Sequence, residues 1–233
     1  MPPQLAKLKG TALDLLFPRY CVGCGREGSF ICFSCRHSLS RIARPICPRC
    51  GRPQPSGILC PDCVNWPAKI DGIRSPFRFD GVMRQAIHQL KYQYIRALVV
   101  PLAQLLHDYL ATNPISVEIL IPVPMHQKRL RERGYNQSGL LAQELSKLTN
   151  LPIIDDCLIR QRHTLPQART SNVDERRSNI VDAFVCCDHR LQNKQVLLID
   201  DVATSGATLD ACAAALKASG ATSIWGLVMA REI

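Results

Sequence analysis

The chain has 233 residues, of which 46% are apolar, 21% charged and 6% aromatic, and this composition excludes a disordered, collagen-like or coiled-coil protein. The formal net charge of +10 favours a polyanionic partner, such as a nucleic acid, a phosphate compound or an acidic membrane surface. The sequence shows neither a secretory signal nor a membrane-spanning run, so we expect a cytoplasmic protein without a membrane span, whose 12 cysteines are mostly reduced.

Eight of the cysteines form four Cys-x-x-Cys pairs in the first third of the chain, within a stretch rich in glycine and proline. Four thiolates around one tetrahedral ion form the usual structural zinc site, and each Cys-x-x-Cys turn supplies two of them. A disulfide-stapled or thioredoxin-like segment is the alternative, but four pairs without a surrounding βαβ unit favour zinc. The predicted zinc ligands are Cys21, Cys24, Cys32, Cys35, Cys47, Cys50, Cys60 and Cys63.

An internal repeat in this stretch predicts two zinc ions. The pattern Cys-x-x-Cys-Gly followed by a second Cys-x-x-Cys occurs at residues 21–35 and again at residues 47–63. We expect one ion in each repeat, while an interleaved pairing of the cysteines stays open. The remaining cysteines are expected to be small core residues and not nucleophiles; they are Cys157, Cys186, Cys187 and Cys212.

After Pro67 the sequence changes to alternating apolar strands and amphipathic helices. We therefore assign residues 1–67 to an N-terminal helix and a double zinc ribbon, and residues 68–233 to an α/β domain with a parallel sheet. The predicted elements of this domain are a strand or hairpin at 70–79, helices at 81–92 and 97–111, a strand at 118–122, an amphipathic helix through 140–148, two short strands within 157–184, a strand at 196–199, a helix at 207–218 and a strand at 222–229.

The sharpest functional motif lies at residues 196–208, where an apolar strand runs into two acids and then into a loop of small residues before a helix. Ligands bind at this end of the strands in open α/β sheets. Backbone N–H groups and hydroxyls at a helix N-terminus suit a phosphate, and adjacent carboxylates suit sugar hydroxyls. The motif lacks the Gly-Lys-Ser/Thr ending of a Walker loop. It predicts a ribose 5-phosphate site formed by Asp200, Asp201, Ala203, Thr204, Ser205, Gly206 and Thr208.

This motif resembles the phosphoribosyl pyrophosphate (PRPP) motif of type I phosphoribosyltransferases, in which four apolar residues and two acids precede a Thr/Ser-Gly-x-Thr loop. Further motifs narrow the resemblance to the ComF/GntX family over essentially the whole chain. They are the Leu-Phe-Pro-x-x-Cys opening at 16–21, Leu90-Lys91-Tyr92, Ile121-Pro-Val-Pro124, Arg133-Gly-Tyr-Asn-Gln137, Thr164-x-x-Gln167 and Glu175-Arg-x-x-Asn179. The resemblance implies a phosphoribosyltransferase-type fold and a role in natural competence or in the use of external DNA as a nutrient.

The resemblance also implies roles for two groups of basic and polar residues. Lys128 and Arg129 occupy the pyrophosphate-loop position, and residues 161–178 occupy the mobile-loop position that closes over PRPP. The residues implied for that mobile loop and its flanks are Arg160, Arg162, Gln167, Arg176 and Asn179. In an enzyme of this kind, phosphoribose passes from PRPP to a nucleophile and pyrophosphate leaves. Mg²⁺ would bridge the pyrophosphate and the ribose hydroxyls, while Asp200 and Asp201 position the ribose.

No motif identifies the acceptor, which leaves two hypotheses. The first is a phosphoribosyltransferase that acts on an unidentified acceptor. The second is a non-catalytic adaptor that uses the same fold to bind PRPP or single-stranded DNA and works with DNA-uptake proteins. In the second hypothesis Tyr92, Tyr94 and Tyr135 are available to stack on bases. The intact pair of acids and the intact loop favour a retained PRPP site.

Overall fold

Most strands belong to one sheet in this structure, a computed structural model that describes residues 18–161, 183–186 and 188–233. The strands are β1 (Gly72–Arg74), β2 (Phe77–Arg78), β3 (Ile119–Pro122), β4 (Leu158–Arg160), β5 (Phe184–Cys186), β6 (Gln195–Ala203) and β7 (Ser223–Arg231). The sheet has the order β1–β7–β6–β3, and all of its pairs are parallel. A parallel α/β fold is therefore confirmed. The predicted N-terminal helix lies outside the described residues.

Residues 70–79 form an interrupted edge strand. Both β1 and β2 pair in parallel with β7, and they keep one register, since Arg74 lies opposite Leu227 and Phe77 opposite Ala230. The interruption coincides with Pro76, which has no N–H to donate to a neighbouring strand. The strand alternative is confirmed, and the hairpin alternative is wrong because a hairpin would make the two segments antiparallel.

The helices match the prediction where the apolar pattern is strong. They are α1 (Phe33–His37), α2 (Pro61–Val64), α3 (Gly81–Tyr92), α4 (Val99–Thr112), α5 (Gln127–Arg133), α6 (Gln137–Thr149) and α7 (Ala207–Ala218). Both α3 and α7 have the predicted bounds. The sequence predicted a loop where α5 lies, because this seven-residue helix has a single apolar residue and no amphipathic pattern. No helix in the described ranges is both long enough and apolar enough to cross a bilayer.

Helices cover both faces of the sheet, which explains the continuous apolar runs of β6 and β7. One face packs against α3, α4 and α6 through buried residues such as Met83, Leu102 and Leu141. The other face packs against α7 and the antiparallel pair of β4 and β5. Cys157, Cys186 and Cys212 are buried free thiols on this second side, as predicted for small core residues, and Cys187 lies outside the described residues.

The two cysteine repeats pack on opposite faces of the β1 edge. In the first repeat, Leu39 joins the α3–α4 side of the core, and a Cβ at Gly23 would lie 2.7 Å from a methyl carbon of Val82 on α3. In the second repeat, Cys50 and Trp66 join the α7 side. The second repeat is therefore part of the same core layer as the helix that follows the Asp200–Asp201 motif.

Gly25 and Gly51 test how the repeats dock, because they hold equivalent places with φ of +72° and +74°. A Cβ at Gly51 would lie 2.3 Å from the carbonyl oxygen of Ile73, whereas one at Gly25 would meet nothing within 4 Å. We predict that Gly25→Ala lowers the free energy of unfolding by about 1 kcal/mol, the cost of a left-handed alanine. Gly51→Ala should cost about 1–3 kcal/mol more through overpacking. Urea unfolding of both variants measures this, and equal losses would contradict the docking of the second repeat on β1.

Candidate functional site

The carboxyl ends of β3 and β6 open into a cavity of about 190 Å³. This is the edge at which parallel α/β sheets bind ligands. Its charged lining consists of two acids, Asp200 and Asp201, and four cations, Lys91, Arg129, Arg133 and Arg160. The cations outnumber the acids, so the cavity suits a ligand that carries several negative charges together with groups that the two carboxylates can bind.

The two acids lie within β6, because this strand continues to Ala203, four residues beyond the apolar run that predicted it. Because successive side chains of a strand point to opposite faces, the two carboxylates have different partners. Asp201 is 3% exposed and accepts a hydrogen bond from Lys91 Nζ at 2.7 Å. Asp200 is half-buried, and its Oδ1 accepts hydrogen bonds from Ser138 Oγ at 2.8 Å and from the N–H of Asp201 at 2.9 Å.

The environment of Asp200 is unfavourable for a second negative charge. Burial, together with the neighbouring Asp201, raises the pKa of Asp200 to about 7, although hydrogen bonding by Ser138 and the charge of Lys91 oppose the shift. Within the described residues, the other carboxylate oxygen of Asp201, Oδ2, is buried and has no hydrogen-bond partner. A buried acceptor in this state suits a hydroxyl donor or a cation supplied by a ligand.

The loop between β6 and α7 offers backbone donors to the same edge of the sheet. Gly206 has φ +83° and caps the N-terminus of α7. The N–H groups of Thr204, Ser205, Gly206 and Thr208 have no protein acceptor within the described parts of the chain. Ser205 is buried, and its hydroxyl accepts the N–H of Ala207 at 3.4 Å. The loop thus has the free amides that a phosphate needs, and Thr208 also lines the cavity.

The cationic wall comes from α5 and the end of β4. Arg129 and Arg133 are four residues apart on α5, so they lie on the same side of the helix. Arg133 donates to Gln137 Oε1 at 2.7 Å and lies over the ring of Tyr92 at 5.5 Å. Neither arginine forms an ion pair with a carboxylate in the part of the chain that the structure describes. Burial lowers the pKa of Arg160, as does the nearby Arg129.

Thr204, Ser205 and Gly206 form the loop after β6, and Ala203 is the buried last residue of that strand. The other predicted site residues separate into three groups. Asp200, Asp201, Arg129, Arg160 and Thr208 line one cavity. Lys128 is exposed and does not line it, because the helical turn of α5 directs Arg129 and Arg133 there instead. The third group lies outside the described residues and comprises Arg162, Gln167, Arg176 and Asn179.

Several lining residues were not predicted as site residues. Lys91 and Arg133 belong to motifs that carry the family resemblance, so those motifs held a usable signal for them. Nothing in the sequence marks Ser138. The suggestion that Tyr135 can stack on a base is wrong, because its ring is buried and its hydroxyl donates to the carbonyl of Leu90. Tyr92 and Tyr94 are 60% and 57% exposed.

The eight cysteines form two clusters that follow the order of the repeats. One contains Cys21, Cys24, Cys32 and Cys35, the other Cys47, Cys50, Cys60 and Cys63, and the sulfur atoms of each set lie within 4.8 Å of one another. The sequential pairing is therefore the one present. Sulfurs about 2.3 Å from one tetrahedral ion lie about 3.8 Å apart. The Sγ–Sγ distances of 3.6 Å for Cys24–Cys32 and for Cys50–Cys60 are close to that value.

Backbone donors favour thiolates in both clusters. The N–H of Cys32 donates to Cys21 Sγ at 3.3 Å, and the N–H of Cys60 donates to Cys47 Sγ at 3.5 Å. Burial alone raises the pKa of Cys21 and Cys47, but these and neighbouring N–H groups outweigh it and hold both values at about 6. Because zinc binds thiolates, the chemistry and the geometry of both clusters fit structural zinc.

Comparison with known proteins agrees with both parts of the structure. Residues 12–64 match the family model of the double zinc ribbon domain. Competence protein F of Haemophilus influenzae is 30% identical over 86% of this chain and 90% of its own. The chain therefore belongs to the ComF/GntX family. Competence protein ComFC of Bacillus subtilis (strain 168) is 28% identical over 82% of this chain and 79% of its own. DNA utilization protein YhgH of Escherichia coli O157:H7 is 30% identical over 83% of this chain and 87% of its own.

Solved structures similar to this ComF/GntX protein include a phosphoribosyltransferase and an amidotransferase. The purine phosphoribosyltransferase from Pyrococcus horikoshii is 15% identical, with a TM-score of 0.33, over 57% of this chain and 81% of that one. The glutamine PRPP amidotransferase from B. subtilis is 17% identical, with a TM-score of 0.38, over 56% of this chain and 26% of that one.

The raised pKa of Asp200 predicts how its removal changes stability with pH. An unfolded aspartate titrates near pH 3.9, and folded Asp200 titrates at about 7. Between these values the folded state holds a proton that the unfolded state releases, so the ionisation of Asp200 lowers stability as pH rises through this window. Asp200→Asn should therefore melt at a higher temperature than the wild type at pH 8, and the difference should narrow by pH 5.

Differential scanning calorimetry at both pH values measures this difference. Asp155→Asn is the control, because Asp155 is an exposed carboxylate outside this cavity. If Asp200→Asn changes the melting temperature by the same amount at pH 5 and pH 8, the raised pKa of Asp200 would be contradicted.

Proposed function

We propose that the protein binds PRPP together with Mg²⁺ at the carboxyl edge of the sheet and takes part in the uptake or utilisation of DNA. The observation that carries the ligand is the combination, in one segment, of two adjacent carboxylates in β6 and a following loop with free backbone N–H groups. The cellular role is supported by the names of the relatives, which are competence proteins and DNA utilization proteins.

The chemistry of PRPP divides among the parts of the site. Its 5-phosphate would bind the N–H groups of Thr204, Ser205, Gly206 and Thr208, since these have no protein acceptor among the described residues. The ribose hydroxyls would donate to Asp200 and Asp201, which includes the unpartnered Oδ2 of Asp201. The pyrophosphate would meet Arg129 and Arg133, which have no carboxylate partner in the described ranges. When bound, Mg²⁺ supplies positive charge to the pyrophosphate and the ribose hydroxyls.

Lys91 allows an anionic ligand to bind beside two carboxylates. Its Nζ is 2.7 Å from Asp201, and the pair is mostly buried, with side-chain exposures of 20% and 5%. In such a setting one lysine cancels one of the two negative charges, which reduces the repulsion that a phosphate would otherwise meet. The 2.8 Å hydrogen bond from Ser138 similarly stabilises the ionised form of Asp200.

A transferase reaction at this site would be a substitution at C1 of the ribose. The bond from C1 to the pyrophosphate oxygen breaks, and a bond from C1 to the acceptor nucleophile forms. The arginines stabilise the charge that develops on the departing pyrophosphate. Asp200 and Asp201 hold the ribose and offset positive charge near C1, so they act as positioning groups and not as nucleophiles.

Titration of the protein with PRPP and Mg²⁺ in a calorimeter tests the ligand. We predict that Asp200→Asn and Asp201→Asn each weaken binding about 10- to 100-fold, the loss expected for a hydrogen bond to a charged group. Asp155→Asn is the control and should bind like the wild type, because it lies outside the cavity lining. A wild-type protein that does not bind Mg²⁺–PRPP would refute the proposal.

A second candidate function is supported by two exposed aromatic side chains, Tyr92 in the cavity lining and Tyr94 two residues further along the chain. The ring of Tyr92 lies under the guanidinium of Arg133, and Tyr94 lies edge-on to Tyr135 with the ring centroids 6.4 Å apart. Aromatic rings next to cations form platforms on which single-stranded DNA stacks. In this alternative the protein is a non-catalytic adaptor that holds a single strand across the carboxyl edge of the sheet.

Fluorescence anisotropy with a labelled single-stranded oligonucleotide tests the adaptor. Tyr92→Ala and Tyr94→Ala should each weaken binding about 5- to 100-fold, because base stacking on an aromatic ring contributes about 1–3 kcal/mol. Phe33→Ala is a matched control, since Phe33 is an exposed aromatic residue in the first repeat. The affinity should also fall with added salt, and binding that is insensitive to salt or to both tyrosine variants would contradict this candidate.

A further inference from the structure

Arg231 at the end of β7 is the largest fully buried side chain in the described core, with 1% exposure. A guanidinium so placed needs a negative partner, because burial of an unpaired charge costs several kcal/mol. Within the described ranges Arg231 forms no ion pair with a carboxylate, and its Nε and Nη1 have no hydrogen-bond partner. The charge that compensates Arg231 must come from another kind of group.

The electrostatic surroundings of Arg231 include the thiols of the second repeat. Burial lowers the pKa of Arg231 to about 10, while the thiols of Cys50, Cys63 and Cys60 raise it and Arg52 lowers it. Four thiolates around one Zn²⁺ carry a net charge of −2. A zinc centre in the second repeat would therefore add negative charge that favours the buried guanidinium.

Arg231 and Arg52 both bind the loop that follows β6. The Nη2 atoms of both guanidiniums donate to the carbonyl oxygen of Thr204, each at 3.3 Å. Arg52 also pairs through Nη1 with Asp62 at 2.8 Å, and Asp62 lies inside the Cys60-x-x-Cys63 turn. One carbonyl of the phosphate loop is thus held by two cations, of which Arg52 belongs to the second repeat and Arg231 to β7.

The orientation of that carbonyl decides where the next amide points. The peptide bond between Thr204 and Ser205 is trans, so the N–H of Ser205 points opposite to the carbonyl of Thr204. Because the carbonyl points towards Arg52 and Arg231, the N–H of Ser205 points away from the second repeat. This N–H is one of the free donors of the loop.

Packing beneath Gly206 reinforces the same arrangement. A Cβ at Gly206 would lie 2.7 Å from Ile73 Cδ1 and 3.3 Å from the ring of Trp66. Trp66 follows the last cysteine of the second repeat by three residues and is buried. The first repeat packs against Val82 and the α3–α4 side, and none of its described residues is hydrogen-bonded to residues 204–206.

We propose that the second zinc ribbon is a structural part of the phosphate site: Arg52, which pairs with Asp62 of the Cys60-x-x-Cys63 turn, holds the Thr204–Ser205 peptide together with Arg231 so that its N–H faces the ligand. The first zinc ribbon has no such role. The ligand in this statement rests on the proposed function, whereas the coupling between the metal centre and the loop concerns the chain's own residues.

Two matched cysteine variants and one arginine variant test the coupling. Cys32 and Cys60 are both half-buried third cysteines of their repeats and precede α1 and α2. Cys32→Ser and Cys60→Ser should each leave about one zinc per chain, measured by elemental analysis. Arg52→Gln keeps all eight cysteines and should retain both ions, so the test stands even if Cys60→Ser does not fold.

NMR order parameters of the Ser205 and Gly206 amides provide a measurement independent of PRPP. In the wild type and in Cys32→Ser we expect rigid values of about 0.85, and in Cys60→Ser and Arg52→Gln values below about 0.6. Affinity for Mg²⁺–PRPP should fall about 10-fold or more in Cys60→Ser and about 3- to 10-fold in Arg52→Gln, while Cys32→Ser stays within about 2-fold of the wild type.

The outcomes separate the two proposals. Wild-type order parameters in both Cys60→Ser and Arg52→Gln would overturn the coupling, as would an equal loss of order in Cys32→Ser. If the order parameters fall as expected but the wild type binds no PRPP, the coupling stands and the proposed ligand is wrong.

Discussion

Strand β6 carries two adjacent carboxylates to the edge of a sheet that helices cover on both faces. A strand in this position cannot leave both charges uncompensated, because neither side chain has free access to water. The structure compensates them from different elements, since Lys91 comes from α3 and Ser138 from α6. The two helices are thereby placed around the same edge, and the cavity lies between them. This compensation is incomplete, because the pKa of Asp200 stays raised and Oδ2 of Asp201 has no hydrogen-bond partner in the described residues. Hydroxyl groups of a ligand can donate hydrogen bonds to both carboxylates.

The zinc ribbons contribute a different kind of compensation. A stretch without hydrophobic periodicity cannot form an apolar core of its own, so metal binding must supply the free energy of folding. The second ribbon also holds the phosphate loop, because Arg52 pairs with Asp62 and donates to the carbonyl oxygen of Thr204. Two zinc–thiolate centres also lower the formal charge from +10 to about +6. Much of the functional positive charge is local to the cavity, where a small polyphosphate explains it as well as DNA does.

The parts of the structure that could be predicted are those that local sequence patterns determine. The bounds of α3 and α7 follow from their apolar periodicity, and the pairing of cysteines follows from the internal repeat. The helix α5 could not be predicted, because seven mostly charged residues carry no periodic pattern. Without this helix, Lys128 was predicted as a site residue and Arg133 was not. The helical turn places Arg129 and Arg133 on the side of α5 that lines the cavity.

Roles that depend on tertiary contacts could not be worked out from local sequence patterns alone. Ser138 and Lys91 meet the carboxylates only because α6 and α3 pack on the same face of the sheet. Tyr135 looks like an available aromatic residue, but its ring is buried against α3. Arginine is rarely buried, so no local pattern marks Arg231 as a core residue that binds the carbonyl oxygen of Thr204.

The central idea is that one edge of the sheet binds both ends of PRPP, the 5-phosphate on residues 204–208 and the pyrophosphate on the arginines of α5. Phosphorus-31 NMR of PRPP with Mg²⁺ measures this directly, because the 5-phosphate and the two pyrophosphate phosphorus atoms give separate resonances. We predict that addition of the protein shifts or broadens all three resonances. Resonances that are all unchanged, or a 5-phosphate resonance that stays unchanged while the pyrophosphate resonances move, would contradict the account.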